Sequence, residues 1–96
     1  MSQPTLLPQI DDPGSDLSAR WKVVIYNNDY NDQQEVCEVL IKATGCDMQE
    51  ASMEVWEAEV YDKACVHFAS RQECESAAFI ISRIGVKTEV SPEWDA

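Results

Sequence analysis

Apolar and polar positions along the chain divide it into six segments with different periods. Trp21-Lys-Val-Val-Ile-Tyr26 is dense in β-branched and aromatic residues and holds no breaker, so it predicts a strand. The next five residues, Asn27 to Asn31, are polar apart from Tyr30 and rich in side chains that bond their own backbone, which predicts a turn. Val36, Val39, Leu40 and Ala43 then recur at the i, i+3, i+4, i+7 spacing of an amphipathic helix. Asn31 or Asp32 can cap its start, and Gly45 predicts its stop. Asp47-Met-Gln-Glu50 resembles a capping box with Asp in place of Ser or Thr, opening a second helix. Its predicted inner face carries Met48, Ala51, Val55 and Ala58.

Lys63-Ala-Cys-Val-His-Phe68 predicts a second strand. Ser70-Arg-Gln-Glu73 is a capping box for a third helix with Cys74, Ala77, Ala78, Ile81 and Ile84 inward. Gly85 marks its end, and Val86 to Val90 alternates as a third strand closed by Pro92. The order β-α-α-β-α-β predicts a two-layer α+β domain, a three-stranded antiparallel sheet with three helices on one face. Residues 1–19, which hold three of the four prolines, predict a flexible tail; the domain is expected over 20–93. The tail reads as an idle extension or as an arm that touches a partner.

Composition narrows the function classes. The 96 residues leave room for one domain, and a hydrophobic content of 45% suffices for its core. With 18 acidic against 7 basic side chains the formal net charge is −11, which repels phosphate backbones and anionic lipid. Nucleic acid and membrane are therefore excluded as expected partners, and a basic protein or peptide is favoured. Acidity that serves only solubility is the alternative. No apolar run approaches the roughly 18–20 residues of a membrane helix, and no secretion signal opens the chain. The expected location is the cytoplasm.

Cys37, Cys46, Cys65 and Cys74 lack the C-x-x-C pairing of zinc sites and are expected as free, mostly core-filling thiols, with no metal or other cofactor. His67 has no nucleophile or second ligand nearby and is assigned a structural place. No phosphate loop, no nucleophile with a spaced His and no metal box suggests an enzyme. Trp56 is placed at the core edge, and Trp94 either over the sheet end or loose.

Two stretches carry a family likeness. Trp21 to Tyr30 followed by Glu38-Val-Leu40 resembles the signature of the ClpS adaptors: an aromatic, Lys-Val, a strand, an Asn-Asp-Asp-Tyr turn and a helix containing Val-Leu. Lys63-Ala64, Phe68 and Arg83 to Pro92 resemble that family's second half. The resemblance implies a fold shared with the C-terminal domain of the ribosomal stalk protein. It implies a protein without enzymatic activity that binds the first residue of substrate proteins (an N-degron) and hands them to the N-terminal domain of a ClpA- or ClpC-type ATPase.

By the resemblance, the terminal ammonium is held by the turn's first Asn, here Asn27, and by a position on the second helix where the family has His and this chain Glu59. A carboxylate there attracts the ammonium directly. The remaining pocket positions fall at Asn28, Asp29, Asn31, Gln33, Val36 and Val55. Gln33 replaces an apolar gatekeeper Met, and Asp62 stands where the family has Gly. The family's two charged contacts to the ATPase fall at Gln72 and Ala77, both uncharged. Alternatives are a ClpS-like interaction or regulatory module that has lost terminal-residue recognition, and a ribosome-associated domain.

Overall fold

The computed structural model describes residues 20–94. The expected tail, residues 1–19, lies outside them. Six elements follow in the predicted order: β1 Trp21–Tyr26, α1 Gln33–Thr44, α2 Met48–Tyr61, β2 Lys63–Ala69, α3 Arg71–Ser82 and β3 Thr88–Pro92. β1 is the central strand of a three-stranded sheet ordered β2-β1-β3, antiparallel to both neighbours. α2 and α3 lie on the sheet, and α1 packs across both helices.

Each helix begins on a side-chain cap. Asp32, not Asn31, accepts from the Glu35 amide at 2.8 Å, Asp47 from the Glu50 amide at 2.8 Å and Ser70 from the Glu73 amide at 3.2 Å. Such caps satisfy amides that no helical carbonyl reaches, and each is worth about 1 kcal/mol. α1 ends on Gly45 at φ +78°. α2 ends on Asp62 at φ +73°, the left-handed conformation that Gly takes freely and that a side chain adopts at some cost.

The core gathers Val23 and Ile25 of β1, Leu40 of α1, and Cys74 and Ile81 of α3, all almost fully buried. A bulge sets Val23 opposite His67 and Val24 opposite Cys65, which leaves Val66 as the extra residue of β2. All four cysteines are free thiols, Cys37 and Cys74 within the core.

Three expectations need correction. Met48 does not join the inner face of α2: it is the first residue of the helix and stays exposed, while Ala51, Val55 and Ala58 form that face. Trp56 is not at the core edge; it is 58% exposed, its ring meeting Tyr61 edge-on. β3 starts at Thr88 rather than Val86, because Val86 turns into the core (3% exposed), and it runs on through Pro92, which pairs with Trp21 on an edge strand that tolerates proline. Trp94 is exposed.

Candidate functional site

The turn that leaves β1 carries most of the expected site. Its geometry is fixed by asparagine side chains acting as backbone. Asn28 Oδ1 accepts from the amides of Tyr30 and Asn31 at 3.0 and 3.1 Å, a closed turn of the kind Asn favours. Asn28 Nδ2 donates to Asn31 Oδ1 at 3.0 Å, and Asn31 Nδ2 donates to the Ile84 carbonyl at 2.8 Å and to Glu35 Oε1 at 2.9 Å. Those bonds tie the turn to the loop between α3 and β3. Two backbone bonds complete the frame: the Tyr26 amide donates to the Lys87 carbonyl at 3.0 Å and the Asn27 amide to the Asp62 carbonyl at 2.9 Å. Three distant segments therefore meet at one point.

The meeting leaves a cleft with about 340 Å³ of unfilled space, partly open to solvent. Its lining includes Asn27, Asn28, Asn31, Gln33, Val36, Val55 and Glu59, so seven of the eight expected residues come together. Asp29 shares the turn but is exposed and does not line the cleft. Ile25, Tyr26, Ala58 and Val86 complete the wall. The first three are near neighbours of expected positions in chain or helix. Val86 has no local signal: only the Asn31 and Tyr26 bonds to the α3–β3 loop bring it there.

Polarity is divided across this cleft. Ile25, Val36, Val55, Ala58 and Val86 give an apolar floor, most of it buried. At the mouth, Gln33 Nε2 donates to Glu59 Oε2 at 2.6 Å, a bond from the first residue of α1 to the last turn of α2. A donor to an ionised acceptor makes a short, strong bond. It orients the carboxylate and leaves Oε1 available. The polar atoms of Asn28 and Asn31 are engaged in the frame. Asn27 is different: among the described residues its side chain has no hydrogen-bond partner, and it is exposed at the rim. Two residues that can accept hydrogen bonds, Asn27 and Glu59, thus border an apolar hollow.

Among the described residues no group of three or more His, Cys, Asp or Glu side chains is placed to hold a metal ion. No helix among them is long and apolar enough to cross a membrane. His67 and Gln72 border a broad depression between β2 and α3, with Phe68 at its edge and Ala77, 2% exposed, at its floor. Of the two positions expected to face an ATPase, only Gln72 is a surface side chain.

Residues 16–90 match the family model of ClpS, the ATP-dependent Clp protease adaptor protein. The chain belongs to the ClpS family, whose members are adaptors and not enzymes. Its fold is similar to that of Agrobacterium tumefaciens ClpS2 bound to L-phenylalaninamide, with a TM-score of 0.73 and 21% identity over 78% of this chain and 98% of that one. At that identity the likeness is one of fold. Comparison with curated proteins gives no match.

Proposed function

We propose that this protein binds the N-terminal residue of substrate proteins in the cleft between β1, α1 and α2, and delivers them to a Clp ATPase–protease in the cytoplasm. The observation that carries the reading is the division of the cleft: two hydrogen-bond acceptors, Asn27 and Glu59, at the rim of an apolar floor. A chain terminus has the complementary form. Its ammonium presents three donors, and its first side chain projects from the adjacent carbon. Asn27 Oδ1 and Glu59 Oε1 take two donors, while the side chain descends past Val36 and Val55. The fold likeness to a ClpS2 structure that holds L-phenylalaninamide supports a ligand with a free amine beside its side chain.

Specificity follows from what stands at the mouth. Gln33 and Glu59 bond to each other where the family has an apolar gatekeeper and an imidazole. A ligand entering there meets polar groups that must be desolvated, which lowers the gain from burying Leu or Phe. The proposed preference is therefore relaxed, with polar or basic first residues accepted and large aromatics retained on the apolar floor. Delivery would use the depression that contains Phe68 and Gln72, facing the N-terminal domain of a ClpA- or ClpC-type ATPase.

A second reading rests on the same Gln33–Glu59 bond. If it keeps the mouth shut, the protein is a ClpS-like interaction or regulatory module without terminal recognition. Fluorescence anisotropy with peptides bearing each of the twenty first residues, each compared with its N-acetylated form, separates the two. Discrimination among first residues that acetylation removes is expected; a flat panel would leave the second reading standing.

A further inference from the structure

We propose that the face of the sheet turned away from the helices is a docking surface, and that its occupant is the acidic segment of this same chain that precedes β1, residues 11–16. Such docking does not depend on the terminal-residue reading above.

Alternation along β1 defines that face. Val23 and Ile25 belong to the core through which the helices meet the sheet, so Lys22, Val24 and Tyr26 point the other way. Val24 is itself buried, yet it lies outside that core. Register extends the face to both neighbouring strands: Lys22 pairs with Phe68 and Ser91, Val24 with Cys65 and Glu89, and Tyr26 with Lys63. Lys87, just before β3, lies over the Tyr26 ring at 4.9 Å.

Charge is divided between the two layers. The helices carry eight acids, two in α1, four in α2 and two in α3, against Lys42 and Arg71. The outer sheet face carries Lys22, Lys63 and Lys87 against Glu89, whose carboxylate accepts from the Tyr26 hydroxyl at 2.6 Å. Among the described residues the salt bridges are Arg20–Glu93 and Arg71–Glu75, so none of the three lysines has an ion-pair partner there. In a chain of net charge −11 this is the surface that attracts an anion.

The nearest anion is in the chain itself. Residues 1–19 hold Asp11, Asp12 and Asp16 and no basic side chain. They join the sheet at Arg20, which is pinned: its carbonyl accepts from the Glu93 amide at 2.7 Å, and its guanidinium donates to the Phe68 carbonyl at 3.1 Å. The face runs about 13 Å from Lys22 to Tyr26 at about 3.3 Å per residue, and the stretch from Asp11 to Asp16 can span about 17 Å. Magnitudes then choose among acidic occupants. Exposed ion pairs are individually weak, and a second copy, also at −11, is repelled. A tethered segment is present at an effective concentration on the order of millimolar. That is enough to engage a surface which a separate acidic chain at ordinary concentration leaves empty.

The test is NMR on the full chain, 15N-labelled, at low ionic strength. Raising the salt to about 0.5 M screens the contact and should move the amide signals of Asp11, Asp12 and Asp16 together with those of Lys22, Val24 and Lys63. A variant with Asp11→Asn, Asp12→Asn and Asp16→Asn leaves the folded domain untouched; it should shift the same sheet signals at low salt and lose most of their salt response. Lys22→Glu with Lys63→Glu should release the segment from the other side. Amide exchange at residues 11–16 should then be about five-fold faster than in the wild type. Adding Asp→Lys at the three segment positions to that variant should restore the slow exchange. Sheet signals that ignore the three Asn substitutions would overturn the proposal. So would shifts that grow with protein concentration, which assign the face to a second copy.

Discussion

α2 supplies a glutamate to each of two hollows, and the two carboxylates have opposite fates. Glu59, in the last turn, receives a donor from Gln33 at 2.6 Å and keeps a second oxygen beside Asn27 and an apolar floor. Glu54 lines a polar hollow at the other end of the sheet with Glu50, Arg20 and His67. Its Oε1 is buried with no partner among the described residues. Burial first, and then the neighbouring Glu50 carboxylate, push the Glu54 carboxyl up to about 7. One carboxylate is therefore oriented by a donor at the cleft mouth, and the other is an acid that takes up a proton near neutrality. Acidic composition alone does not make a binding site; what matters is whether each charge is supplied with donors.

The largest effect is expected at the cleft that Glu59 borders. N-acetylation of a peptide removes the ammonium that Asn27 and Glu59 are proposed to hold, and should weaken binding by about 100-fold, the loss of two charge-assisted bonds. Asn27→Ala should cost about 1–3 kcal/mol of binding and leave thermal stability unchanged, since that side chain has no hydrogen-bond partner among the described residues. Equal affinities for free and acetylated peptides would deny Glu59 its part.

Replacing Gln33→Met and Glu59→His together makes the mouth less polar. The affinity ratio of Phe-first to Arg-first peptides should then rise about ten-fold, about 1.4 kcal/mol. An unchanged ratio would mean that the mouth does not set specificity.

At the hollow that Glu54 borders the effect is on stability. The Glu54 carboxyl titrates at about 7 in the folded chain and near 4.5 when unfolded, so between those values the folded state binds more protons. Stability is then highest below about pH 4.5 as far as this group is concerned, and is lost as pH rises through about 7. Because the side chain is only half-buried, solvent screening reduces the effect to about 1 kcal/mol. Glu54→Gln should raise stability by that amount at pH 8 and flatten its slope between pH 5 and 7, measured by urea unfolding. The smallest change is Asp62→Gly. It relieves the left-handed backbone at φ +73° and should add about 0.5–1 kcal/mol, read as a higher urea midpoint.

Local devices were legible from the residues. β1 declared itself in Trp21 to Tyr26, and the caps Asp47 and Ser70 sit where the capping patterns put them, because a cap depends on neighbours three residues away. What escaped depends on distant segments. Val86 looks like the first residue of an alternating strand, but the loop held by Asn31 turns it into the cleft wall. Met48 shares the face of Ala51, Val55 and Ala58 but stands at the helix start, and Trp56, placed at the core edge, is exposed, because periodicity does not say how far the layers around a helix extend. The cleft came largely from family resemblance; the Gln33–Glu59 bond across its mouth, from residues 26 positions apart, had no local signature.

The strand order β2-β1-β3 has a consequence for how the chain reaches this state. The central strand is the earliest of the three in the chain, and its partners come late: the Tyr26 hydroxyl bonds Glu89 across 63 positions at 2.6 Å. Contacts between distant positions require large loops to close before they yield any stabilisation, and they slow folding. During synthesis β1 emerges first and has no strand to pair with until β2 follows, and its second edge stays open until β3 follows. The helices, whose caps and turns are local, can form before either partner arrives. Val23, Val24 and Ile25, the three buried residues of β1, are consequently the segment that a nascent chain exposes longest before it is enclosed.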